Sequence, residues 1–108
     1  MEQEHKDIVY NHLLNVNDRE YTIKKTIEEL LELALILQQK LNKSDLVSDD
    51  KIIEEIGDVH IRLKILKQIY PIELIKKRIN FKLKKFYKYI KTEKYKNKFL
   101  IWYEIERN

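Results

Sequence analysis

Apolar residues recur at helical spacing along most of the chain. In residues 19–42, Ile23, Ile27, Leu30, Leu31, Ala34, Leu37 and Leu41 return every three or four positions, the period of one helix face. The same period runs through 50–69, with Ile52, Ile53, Ile56, Val59, Leu63 and Leu66, and through 71–91, with Ile72, Ile75, Ile79, Leu83, Phe86 and Ile90. A shorter segment, 4–15, places Ile8, Val9 and Leu13 on one side, with His12 beside them. The pattern predicts four helices whose apolar faces turn inward. The breaks agree with it. "NVND" at 15–18 carries turn-forming Asn and Asp. "NKSDLVSDD" at 42–50 is the clearest loop, and Ser48 or Asp49 is placed to cap the following helix. Pro71 suits the first turn of a fourth helix and not the interior of the third. The tail, 92–108, reads as a short strand or a last helical turn, with Trp102 packed on the body or on another subunit.

Composition sharpens this to an all-α fold. The chain of 108 residues has one glycine and one proline, the two residues helix interiors resist most. The expected architecture is one domain, 1–108, with its core at about 20–90. It is an antiparallel helical bundle of about four helices, completed by oligomerisation because four apolar faces exceed what so short a chain covers alone. With no cysteine, disulfides and thiolate metal sites are excluded. The opening "MEQEHKDIVY" is polar, and the longest apolar stretch is interrupted by Glu32 and Gln38. The expectation is therefore a soluble, cytoplasmic protein without membrane contact. Charge is divided. Residues 1–58 hold 14 acidic and 7 basic side chains, whereas 59–108 hold 4 and 15. Such a chain has the means to bind a cation and a polyanion together, although Lys-rich helix surfaces are also ordinary.

Two acidic turns interrupt the apolar pattern: "EELLE" at 28–32 and "EIGD" at 55–58. On a helix, Glu28 and Glu32 share a face, Glu29 and Glu32 are neighbours, and Glu55 and Asp58 project together. If helices two and three pack antiparallel, the two turns meet, with Glu32 near Asp58. Clustered carboxylates repel and resist ionising. A hard divalent cation relieves that, since Mg²⁺ takes oxygen ligands from a few carboxylates and substrate phosphates. Spacing alone fits a solvated acidic face at least as well, because acidic residues near helix N-termini complement the helix dipole. His5, His12 and His60 have no useful spacing to a carboxylate pair, and no Gly-rich phosphate loop or Ser/His/Asp arrangement is present.

"EELLE" followed after 22 residues by "EIGDVHIRL" resembles the paired EExxE…ExxD signature of the MazG-like, all-α nucleoside triphosphate pyrophosphohydrolases. The resemblance covers about residues 20–90. It implies Mg²⁺ (or Mn²⁺ as a substitute) on Glu29, Glu32, Glu55 and Asp58, with Glu28 as a further ligand or the group that positions the attacking water. "RINFKLKKFYKYI" at 78–90 resembles the family's phosphate-contacting segment, which implies Asn80 and Lys82, with Lys85 and Lys88 behind them. Arg62, four residues after Asp58, points into the same region. The implied activity is Mg-dependent hydrolysis of a (deoxy)nucleoside triphosphate to monophosphate and pyrophosphate by a homodimer or homotetramer. Gly57 lies inside the second motif, where a mid-helix glycine costs about 1 kcal/mol relative to alanine; close backbone approach or metal access is the expected reason for it. The rival reading is a basic helical module that binds nucleic acid or an acidic protein. A third reading is a degenerate family member that binds nucleotides without turnover, and the retention of all five acidic positions argues against it; nucleic acid is not the expected partner.

Overall fold

A computed structural model describes residues 1–16 and 18–92, and every regular element among them is helical. Helix α1 spans Gln3–Val16, α2 Arg19–Asn42, α3 Asp49–Leu66 and α4 Ile72–Lys91, with a 3₁₀ turn at Ser44–Leu46 inside the long loop. The tail predicted as strand or helical turn lies, from residue 93 on, outside the described residues. The chain divides after Tyr70 into two compact units.

The helix boundaries follow from their caps. The Asp18 carboxylate accepts from the Tyr21 backbone N–H at 2.7 Å, and the Ser48 hydroxyl accepts from that of Lys51 at 3.2 Å. Each satisfies an amide that the first turn leaves free. At the far end of α2, the Lys43 N–H closes on the Gln39 carbonyl at 2.7 Å. Helix α3 stops at Leu66, short of the expected 69. There the chain tightens, with the Gln68 and Ile69 amides donating to Ile65 and Leu66 at 3.0 and 3.1 Å. The ring of Pro71 disfavours helical geometry in the residue before it. Pro71 itself stands as the cap of α4, one position outside the helix, and its carbonyl accepts from Leu74 and Ile75.

Within the first unit, α2 packs along α3, and α1 also rests on α3. The buried apolar residues are Val47, Val59 and Ile65, joined by the polar Thr22, Thr26 and Glu55. Thr26 satisfies its hydroxyl by donating to the Thr22 carbonyl at 2.8 Å. The face of α2 turned inward is Thr22, Thr26, Glu29, Leu33, Ile36 and Lys40, spaced i, i+4, i+7, i+11, i+14 and i+18, all buried or half-buried. This corrects the face expected from periodicity. Of that set only Ile23 is half-buried. Ile27, Leu30, Leu31, Ala34, Leu37 and Leu41 are exposed, Leu31 at 64% and Leu41 at 83%. The apolar stripe lies roughly a third of a turn away from the face that packs, given about 100° per residue.

In α3 the expectation holds for Ile52, Val59, Leu63 and Leu66 and fails for Ile53 and Ile56, which are exposed. In α1, Ile8, Val9 and His12 are exposed, while Leu13 and Leu14 are half-buried. The Lys64 ammonium sits 4.2 Å from the centre of the Tyr10 ring, a cation–π contact joining α1 to α3. The second unit contains α4. It carries eight Lys or Arg against one acidic residue, Glu73, and a stripe in which Ile75 and Phe86 are half-buried while Ile72, Ile79, Leu83 and Ile90 are exposed. No helix among the described residues is long and apolar enough to cross a membrane.

Candidate metal centre

The inward face of α2 brings Glu29 against α3, and Glu32, one turn further on, stands at the edge of the same contact. Across from them Glu55, in the second turn of α3, is only 5% exposed. Carboxylate oxygens of Glu29, Glu32 and Glu55 lie within 4.8 Å of one another. Two of the oxygens in this group, Glu29 Oε2 and Glu55 Oε2, are buried without a hydrogen-bond partner among the described residues. A buried acceptor with no donor is costly. Such a group could hold a cation. The donor set is all oxygen, which suits a hard ion such as Mg²⁺.

The electrostatics agree. Burial is the largest influence holding the Glu29 carboxyl above its ordinary value, followed by the charges of Glu32 and Asp58. A hydrogen bond shared with Glu32 and the charge of Glu55 add to the rise. Asp58 is half-buried and lies outside the tight three-residue group, yet it is close enough for Glu29 to feel its charge. All four carboxylates that the motif resemblance implies thus act on one region between α2 and α3.

Of the remaining predicted residues, Glu28 and Arg62 belong to the first unit and Asn80, Lys82, Lys85 and Lys88 to the second. Glu28 is exposed and ion-paired to Lys25 at 3.1 Å, outside the group. That hydrogen bond and charge hold the Lys25 ammonium above its ordinary value. Arg62 is half-buried one turn beyond Asp58, and its Nη1 is buried with no acceptor. Asn80 lies on α4, exposed in an open groove with Lys76, Lys77, Phe81 and Lys84. Lys85 is half-buried with its ammonium 5.4 Å from the Phe81 ring centre, and Lys82 is half-buried. Lys88 is exposed on the same helix. Gly57 is exposed, and a Cβ built on it meets nothing within 4 Å among the described residues. Close backbone approach therefore does not account for this glycine.

Sequence reasoning passed over Lys51. Its ammonium pairs with Glu55 Oε1 at 3.1 Å and with Glu54 at 3.7 Å. The only signal was its position four residues before Glu55, which any decorated helix offers. The structure thus defines a helical pair with a carboxylate cluster in its contact face. Compared with models of known families, with curated proteins and with solved structures, the chain matches none.

Proposed function

We propose that this protein is a Mg-dependent nucleotide pyrophosphohydrolase that cleaves a (deoxy)nucleoside triphosphate to monophosphate and pyrophosphate. One observation carries the reading: three carboxylates from two acidic turns far apart in sequence converge to within 4.8 Å, leaving two buried oxygens without donors. Glu29, Glu32 and Glu55 hold the ion, with Asp58 completing the set. When bound, Mg²⁺ polarises the phosphate and makes a coordinated water more acidic. The protein's own groups do the rest. Glu28, which pairs with Lys25 outside the group, has the role of orienting the attacking water only from the motif resemblance. Arg62 offers the unsatisfied Nη1 donor to a phosphate oxygen. Asn80, Lys82 and Lys85 carry the phosphate-contact role that the motif resemblance assigns to α4.

The proposed architecture is an antiparallel α2–α3 pair. Lys40 meets Asp49 at 3.4 Å and Glu29 and Glu32 meet Glu55, so advancing positions on one helix answer receding positions on the other. A homodimer or homotetramer would cover the exposed stripe of Ile27, Leu30, Leu31, Leu37 and Leu41. The test is a panel of canonical and modified nucleoside triphosphates with Mg²⁺, read by monophosphate and pyrophosphate. Turnover that requires Mg²⁺ and stops with chelator is expected; absence of both products across the panel overturns the reading. The charge of α4 favours a second reading, a module for a polyanionic or acidic partner. Binding to nucleic acid that weakens steeply with salt, without turnover, would establish that one instead.

A further inference from the structure

We infer that Lys51 is a built-in competitor for the cation site, a tethered ammonium that compensates Glu55 until a divalent ion displaces it. The inference rests on the cluster being a metal site. Lys51 stands in the first turn of α3, one turn before Glu55, and reaches forward to Glu55 Oε1 at 3.1 Å. Glu32 also lies within the reach of its charge. Glu55 is nearly fully buried, but the Lys51 side chain is 45% exposed. The lysine is therefore free to swing into solvent while the carboxylate stays. Its contact with exposed Glu54 at 3.7 Å gives the ammonium a second partner when it leaves Glu55.

This arrangement has a consequence for selectivity. A monovalent ion entering the cluster carries the same charge as the ammonium it must replace. It also lacks the advantage of being attached to the chain. A divalent ion brings twice the charge and engages Glu29 and Glu32 along with Glu55, so it wins the exchange. Lys51 thus reserves the cluster for divalent cations and offsets part of the charge on Glu55 when none is bound.

The test compares the full-length protein with Lys51→Met, Lys51→Gln and Lys51→Arg by calorimetric titration with Mg²⁺ and by thermal unfolding with and without Mg²⁺. Removing a partly exposed ion pair is expected to tighten Mg²⁺ binding by about 3- to 10-fold in the Met and Gln variants. Their metal-free melting temperature should fall while the gain on adding Mg²⁺ grows. Lys51→Arg should follow the unsubstituted protein. Equal or weaker Mg²⁺ affinity in the uncharged variants overturns the inference and leaves the metal site standing. No Mg²⁺ binding by any of the four proteins overturns both, and Lys51 is then only a surface partner of Glu55.

Discussion

Helix α2 presents two faces whose characters are exchanged relative to an ordinary amphipathic helix. The inward face mixes Thr22, Thr26, Glu29 and Lys40 with only Leu33 and Ile36. The exposed positions from Ile27 to Leu41 are mostly apolar, with Glu28, Glu32, Gln38 and Gln39 among them. A helix stabilised by its own chain's core would do the reverse, since burying an aliphatic side chain is worth about 1.5–3 kcal/mol and burying unpaired carboxylates costs. On the proposed function, the contact with α3 would serve a metal site rather than a core. The apolar face is where a second copy would supply the missing burial.

The strongest way to break this comparison is to remove a ligand from the inner face. Glu32→Gln and Asp58→Asn should each reduce hydrolysis by at least about 100-fold, because even outer partners of metal ligands cost 10–100-fold. Circular dichroism should show the helices intact. Full turnover in both variants would return the carboxylates to the status of a solvated face. The outer face is attacked with Leu31→Lys, at a residue 64% exposed in the chain. Light scattering should give at least twice the 13.3 kDa chain mass for the unsubstituted protein and a shift towards 13.3 kDa for the variant. A monomer in both cases would leave the outer stripe without a role.

A gentler change sharpens the electrostatic half. The Glu29 carboxyl titrates above its ordinary value in the folded protein. The folded state thus binds its proton more tightly than the unfolded state does. The associated stability is fully present below the ordinary carboxylate value and is lost as pH rises through the elevated one. The metal-free protein should therefore weaken over that interval, and Glu29→Gln should flatten the dependence. At neutral pH the metal-free variant should be more stable than the unsubstituted protein, because it removes a carboxylate repelled by its neighbours, and thermal melts across pH check it. Identical pH profiles would mean that Glu29 is not strained by its neighbours.

The smallest effect is expected at Gly57. A Cβ there meets open space, so Gly57→Ala should leave hydrolysis unchanged and add about 1 kcal/mol of helix stability. A loss of stability would indicate a neighbouring copy packed on that surface.

Helix positions were legible in the sequence because they rest on local chemistry. The caps Asp18 and Ser48, the turn-forming run before Ser48 and the barrier of Pro71 each act within a few residues. The inward direction of α2 was not legible, although that of α3 was at Ile52, Val59, Leu63 and Leu66. Periodicity reports which side chains share a face, but only the partner helix decides which face is buried. In α2 that partner selected the polar side. The acidic turns stood out in the sequence, but spacing alone fitted a solvated face at least as well, and it is the fold that brings Glu29, Glu32 and Glu55 together. The separate place of Glu28 was not readable, because a pair with Lys25 at i, i+3 competes with the cluster on the same turn. Lys51 stayed hidden for a similar reason: its ion pair looks local until Glu55 is seen to be buried.

The Lys40 ammonium donates to the Val47 carbonyl at 2.9 Å and also meets Asp49. These contacts span few residues, so closing them costs little chain entropy and favours fast folding. The link fixes how far α2 has advanced when α3 begins, and hence which turn of one helix lies opposite which turn of the other. Eleven residues earlier stands Glu29; six residues after Asp49 stands Glu55. The loop therefore works as a ruler. A one-residue insertion between Lys40 and Val47 would leave every carboxylate in place on its own helix and move the two sets out of step.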